Sequence, residues 1–99
     1  MEHEIEVRDV LINLVQVLEK CSFQDWAEEV GKWLVLWENA GSLPKKKELS
    51  RKILSAFGGS GSFNDLVFYK KGDFMLEDNE TLDRLRQKLF EKLTNVIAL

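Results

Sequence analysis

Between Ile5 and Lys20 the apolar residues Val7, Val10, Leu11, Leu14, Val15, Val17 and Leu18 share one broad arc of a helical wheel, opposite Asp9, Asn13, Gln16 and Lys20. This polar face at helical spacing predicts a helix, against the strand that valine content alone would favour. The arc is wider than one packing seam requires, so the helix is expected near the centre of the fold with two or more neighbours. Ser22-Phe-Gln-Asp25 has the form of a second helix start, with Ser22 as N-cap and Asp25 in the first turn. That helix runs to about Asn39. Trp26, Val30, Trp33 and Trp37 fall in a narrow sector of it, flanked by Phe23 and Leu34, while Gln24, Glu28, Lys32 and Val35 point away.

Ala40-Gly41-Ser42 supplies the stop, with Gly41 suited to a left-handed cap. Leu43-Pro44 opens a third helix, because proline is tolerated in a first turn, and Leu49, Ile53, Ala56 and Phe57 form its apolar side. Gly58 to Ser62 ends it. Leu66-Val-Phe-Tyr69 is short, apolar and rich in strand formers. Lys70-Lys-Gly-Asp73 is turn chemistry, and Phe74-Met-Leu76 is placed to return as a second strand. Asp78-Asn79-Glu80-Thr81 opens the last helix with N-cap candidates, and Leu82, Leu85, Leu89, Phe90, Leu93, Val96 and Ile97 make its apolar face. The expected fold is mainly α: four amphipathic helices in a small bundle, one domain over residues 1–99, with a short strand or β-hairpin between helices three and four.

Composition narrows the function classes. The chain has 99 residues, 44% hydrophobic and 31% charged, an ordinary globular balance with enough length for one core. Its net charge of −3 comes without a basic stripe, and Lys45-Lys46-Lys47 is too short a run to imply nucleic acid. A single cysteine, Cys21, excludes an internal disulfide and a multi-cysteine zinc site. The acidic start Met-Glu-His-Glu lacks the features of a signal peptide, and no apolar run is long enough to span a bilayer. A cytoplasmic protein with no membrane or nucleic-acid partner is expected.

The glycine segment Gly58-Gly59-Ser60-Gly61-Ser62 could offer backbone N–H groups to an anion. It lacks the lysine of a phosphate loop, and it follows a predicted helix where a dinucleotide loop follows a strand. Phe57 and Phe63 on its flanks, with Asn64 and Asp65 behind, favour a shaped turn over a slack tether. Phe57-Gly-Gly-Ser-Gly-Ser-Phe-Asn-Asp-Leu-Val67 resembles the signature of a small, uncharacterised bacterial family with the pattern G-G-x-G-S-(F/L)-N-D-(L/V), whose variable position is often Met where this chain has Ser60. Members of that family are similar to the small proteins encoded among toxin–immunity gene clusters. The resemblance implies a largely helical fold, an immunity-like role and special status for Gly58, Gly59, Gly61, Ser62, Asn64 and Asp65.

Other candidates have two readings each. Trp26, Trp33 and Trp37 form either core or a partner hot spot, with Trp37, nearest the helix end, expected to be the exposed one. Arg86 lies inside the apolar arc of the last helix, so it must reach solvent or meet a carboxylate, and Asp65 or Asp73 is the expected partner. Asp73, Glu77, Asp78 and Glu80 do not match a calcium-loop spacing; they form a solvated helix entrance or an acidic surface for a basic partner. His3 sits near the terminus and Cys21 has no evident base, so no catalytic residues, metal or cofactor are expected.

The function expected is therefore a non-enzymatic protein-binding domain of immunity type, with Trp37, Asp73, Glu77 and Asp78 as candidate partner surface. Two alternatives stand beside it. One is a small-molecule, nucleotide or anion-binding domain using the Gly58–Ser62 loop. The other is a homo-oligomeric structural protein in which the broad arc of the first helix seeks a second subunit. If the glycine segment is a shaped turn, Gly59→Val lowers stability in a thermal melt, whereas a slack linker tolerates it.

Overall fold

The computed structural model describes residues 2–58, 63, 66–70, 73–74 and 76–99, with the backbone alone at 2–4, 69–70 and 73–74. Four helices dominate: α1 (Glu2–Lys20), α2 (Gln24–Asn39), α3 (Leu43–Ser55) and α4 (Leu76–Ala98). They pack into a body of 44 × 22 × 20 Å around one core.

The wide apolar arc sets α1 at the centre. Val7, Val10, Leu11, Leu14, Val17 and Leu18 are all buried, packed between α2 and α4. Burying a side chain of this size contributes about 1.5–3 kcal/mol, which outweighs the few tenths lost to β-branching in a helix. Salt bridges mark the antiparallel arrangement. Lys92 Nζ meets Glu6 Oε2 at 2.7 Å near one end of the α1–α4 pair, and Lys20 Nζ meets Asp78 Oδ1 at 3.0 Å near the other. Arg8 and Glu38, 3.1 Å apart, tie the start of α1 to the end of α2.

The α1–α2 connection differs from the expected cap. Ser22 is not an N-cap; it adopts φ 64°, the left-handed conformation, just past the end of α1. Its N–H donates to Glu19 O at 3.1 Å and the Phe23 N–H donates to Leu18 O at 2.9 Å, the paired bonds of a Schellman turn. Phe23 then occupies the α2 N-cap position without a side-chain cap bond. The stop after α2 also differs: its cap is Ala40 in an extended conformation, and Gly41 does not take a left-handed φ. Ser42 is the N-cap of α3, its Oγ accepting from the Lys45 N–H at 3.4 Å, with Pro44 in the first turn as expected.

The segment between α3 and α4 does not form the strand expected over 66–69. Leu66, Val67 and Phe68 have no regular structure, and the extended pairing among the described residues is one two-residue antiparallel ladder, Tyr69 opposite Phe74 and Lys70 opposite Asp73. The cause is local: both backbone polar groups of Phe68 are already bonded to a side chain of α4. Leu76, expected at the end of a returning strand, instead begins α4, two residues before the anticipated start.

Ser22 carries the cost of a left-handed conformation that glycine adopts freely. Ser22→Gly is expected to raise stability by about 1 kcal/mol in urea denaturation, and Ser22→Val to lower it.

Candidate functional site

At Phe63, Leu66 and Phe68 both backbone bonds and side chains of α4 hold the chain between α3 and α4. The Phe63 N–H donates to Ala56 O at 3.0 Å and the Leu66 N–H to Phe63 O at 3.3 Å. Phe63 is fully buried, its ring 4.9 Å from Trp26, 5.7 Å from Trp33 and 5.5 Å from Phe57, the last two edge-on. Such aromatic pairs add about 0.5–1.5 kcal/mol each beyond area burial. The two phenylalanines that flank the glycine segment are therefore in contact. Phe68 is the second plug, buried with its ring 5.0 Å from Phe23.

Two polar residues of α4 secure these plugs. Asn79, expected at a solvent-facing helix start, is buried. Its Oδ1 accepts from the Phe68 N–H at 2.8 Å and its Nδ2 donates to Phe68 O at 2.9 Å. One amide thus satisfies both backbone groups of a buried residue, replacing the ladder partner that a strand would have supplied. Arg86 is 6% exposed; its Nη1 donates to Phe63 O at 2.6 Å and to Leu66 O at 3.0 Å, and its guanidinium lies 5.8 Å from the Phe63 ring centre. Among the described residues the carboxylate it meets is Asp83, one turn earlier on the same helix. Arg86 fastens the segment to α4 through two carbonyls; the ion pair expected with Asp65 or Asp73 falls outside the described residues. Asp65 lies outside the described residues, as does the side chain of Asp73. So do Gly59, Gly61, Ser62 and Asn64, and with them most of the glycine loop; Gly58 is described and a Cβ there would meet nothing within 4 Å.

The tryptophan expectation is corrected. Trp37 is 2% exposed because the N-terminal half of α3 crosses the last turn of α2, bringing Lys46 Nζ to 5.4 Å from its ring. It offers no partner surface. Trp33 is also buried, and Trp26 is the partly open one. Phe90, expected in the core, is exposed beside Phe57, where α3 and α4 leave a cleft of about 600 Å³ lined also by Leu54, Arg86 and Gln87.

Acidic side chains gather at one end of the molecule. The Lys20–Asp78 bridge joins the end of α1 to the start of α4, and the Phe23–Phe68 contact brings in the start of α2. Glu19, Asp25, Glu77 and Glu80 are exposed there, and Asp78 is partly so. The hydrogen bond that Lys20 Nζ donates to Asp78 Oδ1, followed by the charge of that carboxylate, favours the ammonium form and raises the Lys20 pKa above its ordinary value. Burial, then the charge of Asp78, raises the Cys21 thiol, which makes it a poor nucleophile at neutral pH. No group of three or more His, Cys, Asp or Glu suited to a metal occurs among the described residues. No helix among them is long and apolar enough to cross a membrane.

Comparison with known proteins gives one family, described as Domain of unknown function (DUF6966), matched over residues 19–76. The chain belongs to this family. No curated protein and no solved structure matches. The matched stretch begins at the end of α1 and closes at the first residue of α4, taking in both plugs and the glycine segment. Asn79 and Arg86, which hold that stretch in place, lie just beyond it.

Asn79→Ala leaves the Phe68 N–H and C=O without their partner and is expected to cost about 2 kcal/mol or more in urea denaturation. Asn79→Asp keeps the acceptor but sets a carboxylate against Phe68 O. Its folded-state pKa is raised, so the variant should regain stability relative to the parent as pH falls toward the ordinary Asp value of about 3.9.

Proposed function

We propose that this protein is a non-enzymatic binding domain of immunity type, whose acidic end covers a basic surface of a partner protein. The observation that carries the reading is the convergence of exposed carboxylates from three separate helices, Glu19 of α1, Asp25 of α2, and Glu77 and Glu80 of α4. A field of one sign, built on helix ends that are rigidly tied together, speeds encounter with a complementary surface and penalises the wrong partner. The Schellman turn and the Lys20–Asp78 bridge fix these ends relative to one another, which limits the ordering cost of binding. The resemblance of Phe57–Val67 to a family associated with toxin–immunity clusters points to a toxin as partner, and a cytoplasmic location belongs to the same proposal.

A second reading draws on the cleft beside Gly58. Its walls of Leu54, Phe57 and Phe90 suit a flat apolar group such as the base of a nucleotide, with the exposed Asp83 carboxylate at the edge placed to accept a hydrogen bond from it. A thermal-shift screen with nucleotides and phosphorylated metabolites separates this reading from the first, since a ligand specific for the folded state raises Tm.

The product of the adjacent gene is the partner to test. Binding measured at rising salt should weaken steadily, and Asp25→Lys combined with Glu77→Lys should slow association by about tenfold or more with the helical content unchanged. An absence of binding, together with no protection against the neighbour's toxicity, would overturn the immunity reading.

A further inference from the structure

The outer side of α2 and the adjoining edge of α3 form a surface with a different character from the acidic end. Val35 is 57% exposed and Leu36 is 46% exposed, side by side on α2. Two shallow hollows of about 580 and 290 Å³ share Leu36 between them, the first over α2 and the second between α2 and α3. Gly31 lies in the larger hollow, where an added Cβ would meet nothing within 4 Å, so bare helix backbone is open to close approach.

Charged side chains line the same hollows. Glu28 and Lys32 belong to the first, and Lys45, Glu48 and Lys52 to the second. All five are exposed. None makes an ion pair among the described residues, whereas Arg8, Lys20, Arg86 and Lys92 each reach a carboxylate elsewhere in the fold. An apolar centre ringed by unpaired charges of both signs suits a surface that presents the same patch, and therefore both signs, to itself. A partner of one net charge would match only half of this rim. The apolar arc of α1, expected to seek a second subunit, is covered by α2 and α4 of its own chain and is closed to one.

We propose that the α2–α3 face is an isologous docking site for a second copy of this chain, with Val35 and Leu36 at the centre and Glu28, Lys32, Lys45, Glu48 and Lys52 pairing across the rim. This reading is independent of the acidic end, which it leaves open to another partner.

Sedimentation velocity over a concentration series tests it on the full chain. The parent should show a reversible monomer–dimer equilibrium that weakens with salt. Leu36→Glu should weaken it at least about a hundredfold, because every dimer loses two apolar anchors and meets two carboxylates in their place. A second pair of variants tests the rim. Glu28→Lys with Glu48→Lys makes it wholly basic, and Lys32→Glu, Lys45→Glu and Lys52→Glu together make it wholly acidic. Each variant alone should remain monomeric, and an equimolar mixture should form heterodimers at least as tight as the parent dimer. Circular dichroism confirms that each is folded. A parent that stays monomeric at the highest concentration, a Leu36→Glu dimer of unchanged strength, or rim variants that fail to pair would overturn the proposal.

Discussion

The fold depends on how the backbone between α3 and α4 is satisfied. Buried N–H and C=O groups must be paired, and Phe63, Leu66 and Phe68 lie outside the four helices and the short ladder that would pair them automatically. Phe63 and Phe68 are nevertheless driven fully into the core, carrying their peptide groups with them. Asn79 closes both groups of Phe68, and Arg86 takes the carbonyls of Phe63 and Leu66. The two residues stand seven apart on one face of α4, so a single rigid helix sets the positions of both plugs. Without these bonds the aromatic cluster of Trp26, Trp33, Phe57 and Phe63 would require unsatisfied polar groups at its centre.

A buried guanidinium is costly on its own, and the neighbouring carboxylate of Asp83 is 70% exposed and well solvated. Among the described residues, the two carbonyls and the face of Phe63 are the buried contacts that keep Arg86 inside.

Much of the architecture is legible in the residue pattern, for a physical reason. The arcs of α1 and α2 are long and strongly periodic, and periodicity over several turns survives local ambiguity. Helix ends were harder. Ser22 has the chemistry of an N-cap but serves as the left-handed residue closing α1, because the preceding and following helices compete for the same few positions. The stretch over 66–69 has strand propensity, which reflects a half-buried pleated surface more than a backbone preference, and tertiary bonds to Asn79 override it. Asn79 itself was readable: it lies three residues before Leu82 and continues the face formed by Arg86, Leu89, Leu93 and Val96. A polar residue on that face signals an inward hydrogen bond as strongly as Arg86 does. Trp37 misled because nearness to a helix end suggests exposure, whereas the short 40–42 connection folds α3 directly over it.

Side chains of α4 replace secondary structure for the backbone of Phe63, Leu66 and Phe68. Native-state amide hydrogen exchange at Phe68 tests it most directly, since that N–H donates to Asn79 alone among the described contacts. Protection of the Phe68 amide should be comparable to that of core amides in α1 and α4, falling to the level of an exposed loop in Asn79→Ala while α1 stays protected. A Phe68 amide that exchanges as fast as an open loop in the parent protein would contradict it.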